Sequence, residues 1–284
     1  MKCCSCKSEK LIFYKKYAYW DNSVLKEKFT DLGIYQCQTC DLIQVNHSEI
    51  DSEILDCYYV ESYRGSGFNV YSPEMEGWFL ARAAALTNEV KRHFTVQNKA
   101  PNSLKVFEFG AGYGYNLLEI RSLFPNAELS TNELDLHCVE TLRANNIQVT
   151  SIKDHFNDIF VLSHVLEHFV NPLSIIDEIC KQLNTNGLII IEVPNDHFLD
   201  LKITNEPHLS FFNKRSLSHL FKENYKDRLE VLDVYTSGPE GKEYFSGPQG
   251  ISYFLSKEPP APVDFSNRWN GDEGICLRII LRKL

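Results

Sequence analysis

The chain has no excess of positive charge. It carries 29 Lys and Arg against 38 Asp and Glu, a formal net charge of −9 and a pI near 5.5. A protein whose main task is gripping phosphate backbones needs the opposite balance. No apolar run approaches the ~20 residues of a membrane span, so none is expected. The opening Met1-Lys2-Cys3-Cys4 is too polar for a secretory leader. Neither internal repeats nor low-complexity tracts occur. These absences predict a cytoplasmic, reducing setting, where disulfides are rare. What is present is ordinary for a globular protein: 284 residues, 43% hydrophobic and 24% charged. That length allows one large domain, or a medium one with appendages, and a sizeable core. Nine cysteines do not fit the picture without another explanation.

Their positions supply it. Cys57, Cys138, Cys180 and Cys276 are scattered and read as small core residues. Cys3, Cys4, Cys6, Cys37 and Cys40 crowd the first 40 residues. Cys3-x2-Cys6 and Cys37-x2-Cys40 are two knuckles, each able to present two thiolates to one ion, and together they complete a tetrahedral zinc site. The aromatic, strand-like residues between them suit a small zinc ribbon, in which metal replaces the core a short module cannot build. Four thiolates leave no open coordination position, so the zinc is expected to be structural. Cys4 and His47 fall outside that set.

Downstream, a helical stretch follows Pro73. From Leu104 onward strands and helices alternate: LKVFEF, a glycine turn and NLLEIRSLF; AELSTNEL and LHCVETLRANN; IQVTS; then DIFVLSHVLEH and PLSIIDEICKQLN. The last helix is predicted to stop at Asn186-Gly187. GLIIIEVPN, NKRSLSHLFKENY, LEVLDVYTSG and a closing ICLRIILRKL continue the series, with loops or an irregular insertion over 238–273. The alternation predicts an α/β fold with a doubly wound, Rossmann-like sheet.

The main chemical signal is Glu108-Phe109-Gly110-Ala111-Gly112-Tyr113-Gly114, at a strand-to-helix turn. Glycines at alternating positions let the backbone turn sharply and approach a ligand, and ligands bind at this edge of such sheets. The spacing is not the Gly-x-Gly-x-x-Gly of dinucleotide folds, and no Lys-Ser/Thr follows to make a phosphate loop. Glu108 would repel a pyrophosphate and suits a ligand with a cationic or amino-acid end. Glu133, nineteen residues after Gly114, stands where a carboxylate can accept both hydroxyls of a ribose.

On these residues the region from about Leu104 to Asn195 resembles a class I S-adenosylmethionine-dependent methyltransferase. VFEFGAGYG is similar to that family's first motif, and FNDIFVLSHVLEHFVNP with LNTNGLIIIEVPN to its fourth and fifth strands. The resemblance implies S-adenosylmethionine as cofactor, with Gly110, Ala111, Gly112 and Gly114 forming its cradle and Gly110 and Gly112 lining the methionine part. It places Glu133 on the ribose, Ser163 and His164 at the border of cofactor and substrate, and Asp154 beside the adenine amino group. The run Cys40-Asp41-Leu42-Ile43-Gln44 resembles the second knuckle of the zinc-binding domain of sugar C-methyltransferases. Together the resemblances span most of residues 1–235. There are two departures. Pro207 stands where those enzymes carry a glutamate before the histidine matched by His208, and the chain is too short for their further C-terminal domain.

The expected organisation is a zinc ribbon over 1–50, a helical or lid connection over 51–103, and the cofactor-binding domain over 104–284. The expected activity is methyl transfer to a small molecule, a nucleotide-linked sugar or surface-polysaccharide precursor. His208 is the candidate general base, with His168 and His164 as candidate assistants at the sheet edge and Tyr59 and Tyr63 closing over the substrate. His164-Val165-Leu166-Glu167-His168 also matches an inverted zinc-protease pattern, but it follows a strand directly and is cut off by Asn171-Pro172, which excludes the long helix that pattern needs. Two other classes compete: a nucleic-acid methyltransferase, which the acidic chain and the lack of an Asn/Asp-Pro-Pro-aromatic motif oppose, and a non-catalytic zinc-dependent binder.

Overall fold

A computed structural model describes residues 1–18, 25–61, 76–94, 104–154, 156–202, 207–246 and 263–284. Tyr63, Pro73 and the middle of the 238–273 stretch lie outside them, as does the side chain of Asp154. Among the described residues no helix is long and apolar enough to cross a membrane.

The larger of two sheets has seven strands. In chain order they are β4 (Lys105–Phe109), β5 (Glu128–Thr131), β6 (Gln148–Val149), β7 (Asn157–Ser163), β8 (Leu183–Pro194), β10 (Leu229–Glu240) and β11 (Gly274–Lys283). Their spatial order is β10-β11-β8-β7-β4-β5-β6. The five strands from β6 to β8 are parallel, whereas β11 runs antiparallel between β8 and β10. The apolar runs of β7 and β8 follow from burial on both faces. Successive residues alternate between two cores: Phe160, Leu162, Ile189 and Ile191 face one, and Ile159, Val161 and Ile190 the other. The first core is closed by Ile176 and Ile179 of α6 (Pro172–Gln182) and by Leu217, Leu220 and Phe221 of α7 (Lys214–Asn224). The second is closed by Leu86 and Val90 of α3 (Glu76–His93), Leu117 and Ile120 of α4 (Tyr115–Leu123) and Leu142 of α5 (Leu136–Ala144). From β4 the chain winds outward through β5 and β6, then returns to place β7 on the other side of β4. In open α/β sheets such a reversal marks the carboxyl edge at which ligands bind.

The smaller sheet joins β1 (Leu11–Lys16), β2 (Gly33–Cys37) and β3 (Ile43–Val45) antiparallel, beside a short helix α1 (Lys26–Phe29) and followed by α2 (Ser52–Glu61). Its fourth strand, β9 (Ser210–Phe211), comes from the far end of the chain. The cysteines Cys3, Cys4, Cys37 and Cys40 and Leu42 pack into the first core of the large sheet.

Two local expectations are corrected. α6 stops at Gln182, four residues before Asn186, because Leu183 already has extended backbone (φ −84°, ψ 133°). Asn186, at φ +62°, makes a turn inside the start of β8, and a Cβ on Gly187 would lie 2.5 Å from the Leu183 side chain. Within 238–273, β10 runs on to Glu240 and Gly241–Ser246 form α8, so part of the expected irregular stretch is regular.

Candidate active site

The glycine turn joins β4 to α4. Gly110, Gly112 and Gly114 all have positive φ (+54°, +56° and +81°). At Gly114 the need for glycine is twofold, since a Cβ there would also lie 2.8 Å from Leu142 Cδ2. The loop amides point to side chains at the end of β5 and just past it. Gly110 N donates to Asn132 Oδ1 (3.2 Å), Ala111 N to Thr131 Oγ1 (3.3 Å) and Gly112 N to Glu133 Oε2 (2.6 Å). Glu133 lies two residues beyond the end of β5, not on it, and its Oε1 accepts from the amides of Leu134 and Asp135 (2.9 Å each). Its carboxylate thus ties the glycine loop to the segment that follows β5. Asp154 closes a short 3-10 turn, and its side chain is outside the described residues.

Glu108 is buried at the end of β4. Its Oε1 accepts from Asn116 Nδ2 (2.6 Å), while its Oε2 is buried and, among the described residues, has no partner. Burial pushes its pKa up to about 8, reinforced by Glu133. A neutral carboxyl therefore faces the loop, with one oxygen left for a cationic group.

Ser163 and His164 leave β7 beside a buried charge network. Glu192 of β8 accepts from Arg82 of α3 (Nε 3.1 Å, Nη2 2.8 Å) and from Arg278 of β11 (Nε 2.5 Å). Arg82 also donates to Ser163 Oγ (3.0 Å). Its two guanidinium partners hold the Glu192 carboxyl well below the usual range despite burial. His164, at φ +56°, has Nε2 3.5 Å from Glu192 Oε1 and 3.9 Å from Cys276 Sγ. Burial and then Arg82 lower its pKa to about 4, so it is neutral at pH 7. The sequence reading missed Arg82, Glu192 and Arg278. The signal for two of them was a lone charge inside an apolar run, Glu192 in LIIIEVP and Arg278 in ICLRIIL.

His168 and His208 come together from distant parts of the chain, their rings 4.8 Å apart at 69°. The stretch Leu166–His168 is a single 3-10 turn. His168 Nδ1 donates to the Pro207 carbonyl (3.1 Å) and lies 2.9 Å from Tyr59 Oη. This leaves Nε2 as its lone-pair nitrogen. Burial lowers the pKa of His168 to about 4, and burial plus His168 lowers that of His208 well below 6.5. The loop carrying His208 is not a free polar loop. Tyr17 Oη donates to the His208 carbonyl (2.9 Å), Val45 N to Leu209 O (3.0 Å), and β3 pairs β9 as Ile43↔Phe211 and Gln44↔Ser210. The small sheet therefore fixes the backbone on both sides of His208. The His47 ring spans the Val170 and Leu209 carbonyls (2.5 and 3.2 Å) and is not part of the four-cysteine group.

The sulfurs of Cys3, Cys6, Cys37 and Cys40 all lie within 4.8 Å of one another, with Cys3–Cys40 and Cys6–Cys37 at 3.5 Å. A tetrahedral zinc with bonds of about 2.3 Å requires sulfur separations of about 3.8 Å. The cluster fits such an ion with small adjustments. The hydrogen bond from Cys40 lowers the Cys3 thiol to about 5, which favours a thiolate there. Cys4 lies apart, 3.6 Å from Ser210 Oγ, and burial pushes its thiol up to about 12.

Residues 79–224, just over half of the chain, match the methyltransferase-domain family. Among solved structures, the plantazolicin methyltransferase in complex with SAH superposes with a TM-score of 0.52 at 16% identity, over 81% of this chain and 93% of that one. The same enzyme with a triazolic desmethylPZN analog and SAH gives 0.52 at 17% identity, over 81% and 94%. At such identities these likenesses establish the fold. No curated protein matches.

Proposed function

This chain belongs to the methyltransferase-domain family, and on that footing we propose that it uses S-adenosylmethionine to methylate a small molecule, with His208 as general base. The observation that carries this reading is that the parallel neighbours β4 and β7 lead at the same sheet edge into the glycine turn and into the turn of His168, whose ring packs on His208. The fit to the cofactor rests on Glu108, whose orphaned, buried oxygen suits the ammonium of a methionine end. Gly110, Ala111, Gly112 and Gly114 form the cradle, and Ser163 borders it. Glu133 holds the ribose, exchanging its hydrogen bond from Gly112 N for ribose hydroxyls. Asp154 is assigned to the adenine amino group. When bound, the cofactor supplies an electrophilic methyl on a sulfonium.

The protein's work is placement and proton removal. His208 takes the acceptor's proton, which its neutral ring can do at pH 7. Tyr59 and Pro207 orient His168 beside it. His164 and the Arg82–Glu192–Arg278 network set the charge at the sheet's edge. The four-cysteine cluster holds a structural zinc, which supports a division into a zinc ribbon at 1–50, a helical connection at 51–103 and a cofactor domain at 104–284. We place the protein in the cytoplasm, with a nucleotide-linked sugar or surface-polysaccharide precursor as acceptor. That substrate class is supported by the resemblance of the cysteine module.

The test is a screen of nucleotide-sugars with methyl-labelled S-adenosylmethionine and identification of the product. A labelled sugar, and its loss in His208→Ala with cofactor affinity retained, is expected. Undiminished turnover by His208→Ala refutes the base assignment. Label transferred to RNA in a salt-dependent manner refutes the substrate class.

A further inference from the structure

We propose that Glu167 is a positioning residue, whose carboxylate pairs with the imidazolium formed at His208 during methyl transfer. The inference rests on the reading of His208 as base.

Glu167 is fully buried, and among the described residues its carboxylate oxygens have no hydrogen-bond partner beyond the residue's own backbone amide. Orphaned buried carboxyls are rare in folded proteins and call for a reason. Its surroundings supply one. A Glu167 oxygen and a ring nitrogen from each of His168 and His208 lie within 4.8 Å of one another. Its Oε1 is 3.7 Å from His164 Nδ1 and 3.9 Å from His168 Nε2. These gaps are too long for hydrogen bonds. The carboxyl is therefore held near three imidazoles without sharing a proton with any of them. The backbone enforces the arrangement: Leu209 N donates to the Glu167 carbonyl (2.9 Å), locking the two segments face to face.

The resting state is a set of neutral groups. Burial lowers His164 and His168 to about 4 and raises Glu167 to about 8. The other charges acting on Glu167 are Asp196, which raises its pKa, and Lys202 and Arg82, which lower it; Asp196 and Lys202 are themselves an ion pair. In the reaction the acceptor's proton passes to a His208 nitrogen. The freed pair on the acceptor forms the bond to the methyl carbon, and the methyl–sulfur pair returns to sulfur. A unit of positive charge thereby moves from sulfur to His208, a buried ring that disfavours it. An ionised Glu167 offsets that penalty from a few ångströms away, and a protonated one does not. Turnover should then rise with pH as Glu167 loses its proton, near pH 8.

The test measures kcat from about pH 6 to 9.5 for wild type, Glu167→Gln and Glu167→Asp. The probe is labelled S-adenosylmethionine with the nucleotide-sugar pool of the screen above. Cofactor Kd by calorimetry and metal per chain by atomic spectrometry are measured alongside. Glu167→Gln is expected to lower kcat by about 10²-fold and to remove the rise near pH 8. Glu167→Asp should recover part of the loss, cofactor Kd should stay near the wild-type value, and each protein should carry one metal ion. Wild-type turnover and pH profile in Glu167→Gln, with His208→Ala inactive, overturn the role of Glu167 alone. Turnover by His208→Ala overturns the base reading beneath it. A wild-type profile flat between pH 7 and 9 overturns the inference even if Glu167→Gln does not fold. So does a second metal ion per chain that Glu167→Gln loses, because Glu167 would then be a metal ligand.

Discussion

The two sheets hold their share of the site by different means. The large sheet buries side chains on both faces, and its own packing sets the glycine turn, Ser163 and Glu192 at its carboxyl edge. The small sheet has strands of only six, five, three and two residues; its cysteines pack into the large sheet's first core, while Ile34, Ile43, Val45 and Phe211 join a separate cluster with Phe29, Tyr58 and Leu199. Yet it grips the backbone around His208 through Tyr17, Val45 and β9. The small sheet, with a compact cluster of its own around Phe29, Ile34, Val45, Tyr58 and Phe211, thus fixes the backbone of His208 by pairing its strands with that segment. On the proposed function, the large sheet would govern cofactor affinity and the small one proton removal, and the proposed zinc would act on catalysis at a distance, through strand pairing.

The comparison breaks most easily at the cysteines. Cys37→Ser should lose the metal and destabilise the chain by more than about 4 kcal/mol in urea unfolding, because metal binding and folding of such modules are coupled. At temperatures where the large sheet survives, methyl transfer should vanish while S-adenosylmethionine still binds. A variant that keeps both metal and stability contradicts the ligand set. Gly114→Ala should act on the other side. With φ +81° and a Cβ 2.8 Å from Leu142, it is expected to lower stability by about 1–3 kcal/mol and to weaken cofactor binding more than turnover at saturation. The mildest probe is Tyr17→Phe, which removes one hydrogen bond to the His208 carbonyl. It should cost about 1 kcal/mol and lower kcat several-fold with cofactor Kd unchanged. An equal loss in both constants would erase the proposed division between the sheets.

Much of this was legible in the sequence, for local reasons. The CxxC knuckles, the strand–glycine–helix turn and the apolar runs of β7 and β8 are patterns of near neighbours. What was not legible depends on residues far apart in the chain. β9 has two residues, too few for a periodic signal, and its partner is about 165 positions away. Arg82, Glu192 and Arg278 come from three elements; Glu192 and Arg278 stand out as lone charges in apolar runs, but nothing local shows that they meet each other or Arg82. The end of α6 was misplaced because Asn186-Gly187, a common helix stop, here bends the entry to β8. His208 does lie on a loop, but that Tyr17 and β3 fix this loop was not legible, because they precede it by more than 160 residues.

The central claim is that the glycine edge binds S-adenosylmethionine with its cationic end on Glu108. Calorimetric titration of the full chain at pH 7, in buffers of differing ionisation enthalpy, tests it directly. The Glu108 pKa of about 8 leaves the carboxyl mostly protonated before binding, and a cationic partner lowers it. One-site binding with release of roughly one proton, lost in Glu108→Gln, is the expected result. Absence of binding, or binding with no proton released from the wild type, contradicts it.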